Sequence, residues 1–377
     1  MTREIGIGII GCGNISTTYF SRAPLFKDLK IVACADMNLS AAEAKATEFG
    51  AKAQTVDDLL ANDDIDIIVN LTIPDAHYRV SRAILEAGKN VYSEKPLVLT
   101  LKEGEDLRAV AKASGKAVGC APDTFLGGSH QQARKMIDDG TLGRITSGTC
   151  AFMSPGMEMW HPNPDFFFLP GAGPMLDMGP YYIANLINLI GPVKRVAAVT
   201  SMASETRTIT SQPRAGEVIP VKTPTNIHAL LEFENGATVT VTVSWDVWAN
   251  KHSNMELYGT EGSLIVPDPN FFGGALEFAG RDRTFNPVEA WAHPFGADNQ
   301  ETPRGPRANY RMAGLADMVA AINKGRDIRC SLDRALHGVD VMTAILTSGE
   351  EATFQTLTTT CKQPEALGIE EAKALLK

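Results

Sequence analysis

Short apolar segments alternate with amphipathic ones along the first third of the chain. The strand-like runs are IGIGII, KIVACA, IDIIVNL, NVYS and AVGCA. Between them lie segments of helical periodicity such as LSAAEAKATEFG and DAHYRVSRAILEAG, which end in glycine, where helices commonly stop. Apolar strands connected by helices predict right-handed βαβ units and an α/β fold with a doubly wound parallel sheet.

The pattern changes after about residue 124, where two strand–turn–strand segments follow. NIHALLEFENGATVTVTVSW predicts two strands joined at Asn235-Gly236, which is a strong hairpin signal. Valines alternate with threonines along its second strand, so one face packs and the other is polar. HSNMELYGTEGSLIVPDP repeats the arrangement. This half is expected to form a large, mostly antiparallel open sheet, with GPYYIANLINLIG and GLADMVAAINKG as helices on one face. The polar outer face is available for a second subunit.

The length and composition predict a two-domain globular protein. A chain of 377 residues exceeds the usual size of one domain, and we place the boundary between residues 1–124 and 125–377. The net charge of −9 disfavours nucleic acid and anionic membranes as partners. The six cysteines are scattered without a CxxC pair, so no metal site or disulfide framework is expected. The chain shows no signal peptide and no bilayer-spanning run, which predicts a cytoplasmic protein.

A glycine-rich turn follows the first predicted strand. GIIGCGNIS contains Gly11-x-Gly13-x-x-Ser16, in which the first glycine permits a tight turn and the second lets the backbone approach a pyrophosphate. The following helix would direct its free N–H groups and its positive dipole end at that anion. Serine replaces the usual third glycine or alanine, and it is small enough for close packing of helix on strand. Alone, such a turn is also compatible with a merely structural role.

An acidic residue at the end of the second strand strengthens the dinucleotide interpretation. Asp36 follows KIVACA about twenty residues after the turn, where a carboxylate would hold a ribose 2′-hydroxyl. The alternative is a simple helix-start residue near Ser40. A carboxylate repels the 2′-phosphate of NADP, and the next residues, Met37 and Asn38, bring no positive charge. NAD is therefore the predicted cofactor.

Near residue 90, KNVYSEKPLVLT places an acid, a base and a proline where an apolar run ends. Pro96 removes a backbone donor and moves Lys95 out of the helical region, so it constrains how the chain leaves the strand. By themselves, Glu94 and Lys95 are compatible with either surface charges or a functional turn.

Three segments together resemble a known family. GIGIIGCGNIS, PDAHYRVSRAILEAGKNVYSEKP and GAGPMLDMGPYY occur here in the order and spacing typical of the Gfo/Idh/MocA oxidoreductases, the family of glucose-fructose oxidoreductase and inositol dehydrogenase. The resemblance covers essentially the whole chain, and Glu-Lys-Pro is its most specific part. It implies an N-terminal Rossmann domain, a C-terminal α/β domain with an open sheet, and oxidation of a sugar or cyclitol.

The resemblance also implies roles for individual residues. Lys95 would reach the substrate hydroxyl and stabilise a developing alkoxide, Glu94 would lie near the cofactor, and the Lys95–Pro96 bond is expected to be cis. His77 matches a Pro-x-x-His pattern, with capping or packing and nicotinamide contact left as alternatives. The residues expected to bind the cofactor are Gly11, Gly13, Asn14, Ile15, Asp36, Ile73, His77 and Glu94.

GAGPMLDMGPYY departs from the family pattern at two positions. Ala172 replaces the middle of three glycines, and Tyr181 stands where histidine is commonest. Asp177 and Tyr181 are four residues apart, so they lie on one helix face and are predicted to act with Lys95 on the substrate. Tyrosine here resembles the branch that contains glucose-fructose oxidoreductase and the xylose and dihydrodiol dehydrogenases. The alternative is that Tyr181 packs an apolar helix face. A free tyrosine has a pKa near 10, so a catalytic one would need a nearby cation, such as Lys95.

Two further residues are candidate substrate contacts. His161 lies in MEMWHPNPDFFF, where aromatic rings beside His161 and Asp165 suit either a sugar pocket or a hydrophobic core. Asp123 in CAPDTFLGG is compatible with substrate contact or with a turn role.

The expected activity is an NAD-dependent sugar dehydrogenase. We expect oxidation of an aldose at its anomeric carbon to a lactone, with oxidation of a ring secondary hydroxyl of a cyclitol or glycoside as the alternative. A non-catalytic NAD-binding regulator is a third possibility, disfavoured because Lys95 and Asp177 are both present. The expected partners are a small sugar and further copies of the chain, as a homodimer or homotetramer formed through the C-terminal sheet.

Overall fold

The structure is a computed structural model that describes residues 3–303 and 305–377. Its helices α1 to α10 are, in order, Asn14–Arg22, Leu39–Phe49, Val56–Leu60, Pro74–Glu86, Leu101–Ser114, Gly128–Asp138, Pro174–Leu189, Ala313–Lys324, Leu332–Glu351 and Ile369–Leu375. Its strands β1 to β17 are Ile5–Ile10, Leu29–Ala35, Lys52–Gln54, Ile67–Asn70, Asn90–Ser93, Val118–Cys120, Ile145–Met153, Val193–Ser201, Thr206–Thr208, Val218–Pro220, Asn226–Phe233, Thr238–Ser244, Met255–Gly259, Ser263–Val266, Glu277–Ala279, Asn286–Pro287 and Gln355–Thr356.

The chain divides into two compact units. The first comprises Met1–Gly128, Ala292–Val339 and Pro364–Lys377, and the second comprises Ser129–Trp291 and Asp340–Gln363. This division differs from the predicted boundary between 1–124 and 125–377. The chain returns to the first unit after completing most of the second, so α8, α10 and the first part of α9 belong with the N-terminal region.

The first unit is built on a six-stranded parallel sheet of order β3-β2-β1-β4-β5-β6. Its central strands are apolar throughout because helices cover both faces of such sheets. On β1, for example, Ile7 and Ile9 are fully buried. The strand order reverses direction between β1 and β4, which is where open α/β sheets bind their ligands. The predicted α/β fold with a doubly wound parallel sheet is confirmed.

The second unit contains a nine-stranded sheet of order β16-β15-β14-β13-β7-β12-β11-β8-β17. Its pairs are antiparallel except for β7 and β12, which run parallel. β11 and β12 form the predicted hairpin, whose turn is closed by Gly236 at φ +88°. Leu231 and Val239 pair across it, and both are fully buried in the core beneath α7. The prediction of a large, mostly antiparallel sheet is confirmed.

The prediction for GLADMVAAINKG was wrong in one respect. This segment forms α8 as expected, but α8 belongs to the first unit rather than to the C-terminal sheet. The Asp123 carboxylate accepts hydrogen bonds from the N–H groups of Met312 and Gly314, at 2.9 and 3.0 Å, where the helix begins. A Cβ on Gly119 would lie 3.0 Å from the sulfur of Met318. The helix therefore packs closely on β6, which its apolar periodicity did not reveal.

Two buried histidines make hydrogen bonds through both ring nitrogens. In the second unit, His130 lies 2.8 Å through Nε2 from the carbonyl of Phe271 and 3.1 Å through Nδ1 from the amide nitrogen of Asn185. In the first unit, His293 contacts the Leu367 carbonyl through Nε2 and accepts from the Phe295 N–H through Nδ1. Both rings are satisfied as neutral tautomers with Nε2 protonated. Burial lowers the pKa of each to about 4.

We expect the free energy of unfolding to fall as the pH decreases from about 6.5 to 4. A folded-state pKa below the unfolded value means that the unfolded chain takes up protons first, so this contribution is intact above pH 6.5 and is lost in acid. Each histidine accounts for about 3 kcal/mol. The measurement is urea unfolding between pH 4 and 7.5 for the wild type and for His130→Gln and His293→Gln, with the exposed His252→Gln as control. The two buried-site variants should show a shallower pH dependence than the wild type. If the unfolding free energy of His130→Gln and His293→Gln changes with pH as steeply as that of His252→Gln, the prediction is contradicted.

Candidate active site

The glycine-rich turn after β1 adopts the geometry that its sequence requires. Gly11 has φ +103°, and a Cβ there would lie 2.6 Å from the carbonyl of Leu71. Gly13 precedes α1, and a Cβ on it would meet nothing within 4 Å. Ser16 is fully buried and donates to the Gly13 carbonyl at 2.6 Å, which explains why serine fits the third position. No side chain caps the beginning of α1, and Gly13 and Asn14 are exposed there. The free backbone N–H groups of the first turn are therefore suited to bind a pyrophosphate.

Asp36 connects the end of β2 to this turn. Its Oδ2 accepts from the Cys12 N–H at 2.8 Å, and its Oδ1 accepts from the Asn38 N–H at 2.9 Å. The side chain is half-buried, and Met37 beside it is fully exposed. A carboxylate has about four acceptor positions, so ribose hydroxyls can bind in addition to these two N–H groups. The residues present therefore fit an adenosine ribose at this edge of the sheet.

We expect NAD to be preferred over NADP because Asp36 repels a 2′-phosphate. Lys45, a cation on neighbouring α2, is paired with Glu48 at 2.7 Å and donates to Thr17. In kinetic assays, kcat/KM should be higher for NAD than for NADP. Both Asp36→Ala and Asp36→Asn should lower the ratio of the two kcat/KM values by about tenfold or more. Asp36→Asn keeps an acceptor for the Cys12 N–H, so it separates the charge from the turn structure. Equal kcat/KM values in the wild type, or an NADP preference, would contradict this assignment.

The other predicted cofactor residues follow the carboxyl ends of the same parallel strands. Ile15 is half-buried in the first turn of α1. Ile73 follows β4 as the N-cap of α4, and its side chain is 69% exposed. Glu94 follows β5 directly. Ligands of open α/β sheets bind at this edge, so these positions are consistent with cofactor binding, which stays a prediction for each residue.

Glu94 is a buried carboxylate that organises the Glu-Lys-Pro segment. It accepts from the Tyr19 hydroxyl at 2.8 Å and from the Lys95 backbone N–H at 3.0 Å, and its own N–H donates to the Asn70 carbonyl. The Lys95–Pro96 bond is cis. The side chain of Lys95 is half-buried. These contacts determine where the lysine leaves the sheet.

His77 supports the same segment from α4. It is almost fully buried, with Nδ1 2.6 Å from the Pro96 carbonyl oxygen and Nε2 3.0 Å from the Thr72 carbonyl oxygen. Burial lowers the pKa of His77, and the two carbonyl contacts oppose that shift. This geometry favours the packing alternative for His77, in which it holds the turn after Lys95.

Asp123 has a structural role in the first unit. As described for α8, its carboxylate accepts two backbone N–H groups at a helix start. Burial raises the pKa of Asp123 to about 6, and these two hydrogen bonds oppose that shift. The geometry favours the turn alternative, and substrate contact by Asp123 stays a prediction.

In the second unit, Asp177 and Tyr181 lie one turn apart near the beginning of α7. Gly173 precedes the helix at φ +89°, and Asp177 is half-buried in the first turn, where the helix dipole favours a negative charge. Tyr181 is 6% exposed. Ala172 is not among the residues with positive φ, so alanine fits where the family has its middle glycine. The predicted pairing of Asp177 and Tyr181 on one helix is present.

The neighbouring Tyr182 has a different environment. It is fully buried, and its hydroxyl oxygen accepts from the Asn254 amide at 2.9 Å and lies 3.3 Å from Asp268 Oδ1. Burial raises the pKa of Tyr182 well above the usual value. Its hydroxyl is therefore held by Asn254 and Asp268 of the second unit, while both Tyr181 and Tyr182 belong to the hydrophobic core of that unit.

His161 lies in an aromatic cluster of the second unit. Its ring contacts Trp160, Phe166 and Phe167 edge to face, at centroid distances of 5.5, 5.6 and 5.1 Å. Asp165 pairs with Arg214, which holds the pKa of Asp165 below its usual range. His161 is half-buried, so the cluster is compatible with both predicted alternatives, and substrate contact by His161 stays a prediction.

Tyr19 and Asn70 were not identified from the sequence. Tyr19 holds Glu94, and Asn70 donates to the carbonyl of His77 at 2.9 Å and to the Ser81 hydroxyl at 3.0 Å. Tyr19 is 75 positions from its partner, so no local pattern marks it.

The structure bears on two other classes of function. Across residues 3–303 and 305–377, histidine, cysteine and carboxylate side chains do not gather in groups of three that would hold a metal ion. Over the same residues, every helix is too short or too polar to cross a bilayer.

Three features of the first unit are typical of a dinucleotide-dependent oxidoreductase. They are the glycine-rich turn after β1, the Asp36 carboxylate after β2 and the Glu-Lys-Pro segment after β5. Residues 5–121 match the family described as "Oxidoreductase family, NAD-binding Rossmann fold", and residues 130–265 match "GFO/IDH/MocA C-terminal domain". The chain therefore belongs to the Gfo/Idh/MocA oxidoreductase family, and residues 5–121 form its NAD-binding Rossmann domain.

Similar proteins span most of the chain. Levoglucosan dehydrogenase of Pseudarthrobacter phenanthrenivorans is 26% identical over 292 residues, which cover 70% of this chain and 73% of that protein. D-xylose dehydrogenase of Paenarthrobacter nicotinovorans is 25% identical over 337 residues, which cover 82% of this chain and 83% of that protein. Among solved structures, an NAD binding oxidoreductase from Klebsiella pneumoniae has a TM-score of 0.81 at 22% identity, covering 94% of this chain and all of that chain. A levoglucosan dehydrogenase in complex with NADH has a TM-score of 0.79 at 21% identity, covering 94% and 99%. The structural matches show a shared fold.

Proposed function

We propose that this protein is an NAD-dependent sugar dehydrogenase that oxidises an aldose at its anomeric carbon to a lactone. The observation that carries the proposal is Tyr181, which stands one helical turn after Asp177 where the family more commonly has histidine. The similarity to a D-xylose dehydrogenase over most of the chain supports an aldose as substrate. An anomeric hydroxyl is more acidic than a ring secondary alcohol, so a tyrosine assisted by a cation is a sufficient base for it.

The roles of the residues follow from their chemistry. The residues that would hold NAD are Gly11, Gly13, Asn14, Ile15, Asp36 and Ile73, and the cofactor supplies the hydride acceptor when bound. The Lys95 ammonium stabilises the negative charge that develops on the substrate oxygen as hydride leaves the carbon. Tyr181 accepts the hydroxyl proton, and Asp177 orients the same hydroxyl by hydrogen bonding. The ring oxygen and the oxidised carbon remain joined, so the product is a lactone.

Oxidation of a ring secondary hydroxyl is the second candidate. It is favoured by the similarity to levoglucosan dehydrogenase and to an inositol 2-dehydrogenase of Rhizobium meliloti, which is 32% identical over 154 residues that cover 40% of this chain and 46% of that protein. The inositol ring carries only secondary hydroxyls, so in that relative the oxidised carbon lies within a ring. The third alternative, a regulator without turnover, is disfavoured because Lys95 and Asp177 are both retained.

The test is a substrate screen followed by identification of the product. Purified protein with NAD is assayed against aldoses, cyclitols and glycosides by NADH absorbance, and NMR of the product then identifies the oxidised carbon. The proposal predicts a C1 lactone or the aldonic acid formed from it by hydrolysis. A ring ketone with an unchanged anomeric carbon would support the second candidate, and the absence of turnover across the panel would favour the regulator.

The exposed face of the large sheet is the surface that we assign to self-association. On β8 and β11, Val199 and Leu230 are 72% and 40% exposed on the face opposite the buried core positions Ala229 and Leu231. Light scattering after size-exclusion chromatography should give a dimer or tetramer mass. Val199→Lys combined with Leu230→Lys should lower that mass, since charges on this face oppose pairing. An unchanged mass would place the interface elsewhere.

A further inference from the structure

The second unit contains a cavity that none of the predicted catalytic or cofactor residues lines. Its volume is about 320 Å³, which is within the range of small-molecule sites. Its lining, which we call the Trp248 cavity, includes Pro155, Glu158, Arg207, Thr208, Asp246 and Trp248. All of these belong to Ser129–Trp291, so the cavity is a feature of the second unit alone.

A charged cluster forms one side of the Trp248 cavity. The Arg207 guanidinium donates to Glu158 Oε1 at 3.0 Å and also to Asp246 Oδ1. The Glu158, Asp246 and Arg207 side chains are only 8%, 12% and 15% exposed. Two carboxylates against one guanidinium leave a net charge of −1, which disfavours phosphate and other anions as ligands.

The same cluster has hydrogen-bonding capacity that the described residues do not satisfy. The Oε2 atom of Glu158 is buried and has no hydrogen-bond partner in the described part of the chain. The Nε–H group of Arg207 is likewise buried and has no hydrogen-bond partner among the described residues. Buried polar groups normally have partners, so unmatched ones indicate a missing ligand or water. Oε2 of Glu158 is an acceptor and Nε–H of Arg207 is a donor, and hydroxyl groups supply the complementary donor and acceptor.

An exposed aromatic side chain completes the lining. Trp248 is 81% exposed, and the hydroxyl-bearing residues Thr208 and Thr210 also line the cavity. The apolar C–H face of a sugar ring packs on an indole, while its hydroxyls exchange hydrogen bonds with carboxylate, guanidinium and threonine groups. A membrane or protein partner would not require the buried charged cluster beside the tryptophan.

We propose that the Trp248 cavity binds a single uncharged sugar ring, with Trp248 as the stacking surface and Glu158 as a hydroxyl acceptor. The ring is either one unit of an oligosaccharide or glycoside substrate or a separate sugar molecule. The first source rests on the proposed function, whereas binding of a sugar to the cavity does not.

The binding test uses full-length protein and saturation-transfer difference NMR titrations with D-glucose, D-xylose and maltose. Trp248→Ala removes the stacking surface, and Thr208→Val removes one hydroxyl from an exposed strand position. Phe285→Ala is the matched control, because Phe285 is an aromatic residue of the second unit that is 39% exposed and is not part of the cavity lining. Thermal unfolding checks that each variant is folded. Both cavity variants should weaken binding of at least one sugar, by about tenfold for Trp248→Ala, the scale of one stacking contact. Affinities of the cavity variants equal to those of Phe285→Ala for all three sugars would overturn the proposal.

Steady-state kinetics then distinguishes the two sources of the ring. If the ring is part of the substrate, Trp248→Ala should raise KM for maltose as much as it weakens maltose binding, while kcat and KM for monosaccharides stay at the control values. If the ring is a separate molecule, binding should weaken with no change in any kinetic constant. Sugar binding through Trp248 without turnover of any sugar in the wider substrate panel would count against the proposed function and leave the cavity site supported.

Discussion

Replacement of Lys95 by alanine is expected to lower kcat by at least about a hundredfold while leaving NAD affinity nearly unchanged. The expected size corresponds to losing one preorganised electrostatic contact with the developing alkoxide. Glu94 binds the Lys95 backbone N–H, and His77 contacts the Pro96 carbonyl. These contacts hold the main chain independently of the lysine ammonium, so the substitution should not disturb the turn.

The controls for this prediction separate charge from structure. Lys95→Arg keeps a positive charge and should retain more activity than Lys95→Ala, although its planar group is a poorer geometric match. Lys102→Ala removes an exposed lysine on α5 and should behave as the wild type. NAD affinity is measured by titration, and kcat with the best sugar from the screen. A Lys95→Ala variant that retains most of the wild-type kcat would show that the lysine charge is structural.

Tyr181→Phe is expected to lower kcat by about a hundredfold to ten-thousandfold, the range for removing a general acid–base group. Tyr182→Phe is the matched comparison on the adjacent residue. Its hydroxyl contacts Asn254 and Asp268 in the core, so its loss should lower the free energy of unfolding by about 1–3 kcal/mol and leave kcat largely intact.

The comparison requires kinetics and unfolding measurements on both tyrosine variants. The pH dependence of kcat should change for Tyr181→Phe and remain as in the wild type for Tyr182→Phe. Equal losses of activity would mean that the wrong tyrosine was assigned. A further check is the double variant with Lys95→Ala, in which the two losses should be less than additive if both groups act on one hydroxyl.

Several features of this protein were predictable because they depend on neighbouring residues. The glycine turn and the position of Asp36 both follow from a strand–turn–helix–strand order visible in the first 36 residues. The Asn235-Gly236 hairpin follows from local turn chemistry and from an alternation that one register alone can bury. In each case the residues that determine the structure lie within a few positions of one another or repeat with a strand or helix period.

The assignment of α8 shows what periodicity omits. Its pattern predicts a helix with one apolar face, but an apolar face is equally stable against either of two sheets. The choice is made by a carboxylate and a glycine, Asp123 at its start and Gly119 beneath Met318, nearly two hundred residues earlier in the chain. The same distance concealed the structural role of Asp123, because a buried acceptor is recognised only once its donors are known.

The sequence by itself determined the class of fold, NAD as the cofactor and the family, since these rest on short motifs and on the alternation of apolar and polar positions. Only the tertiary structure decided which unit each later segment joins, how Glu94 and His77 hold the Glu-Lys-Pro turn, and that Glu158, Arg207 and Asp246 form one charged cluster. The contacting pairs are 19 positions apart for His77 and Pro96, 39 for Arg207 and Asp246, 49 for Glu158 and Arg207, and 75 for Tyr19 and Glu94. Contacts between side chains brought together by folding leave no period in the chain, because their partners are selected by burial and geometry rather than by spacing.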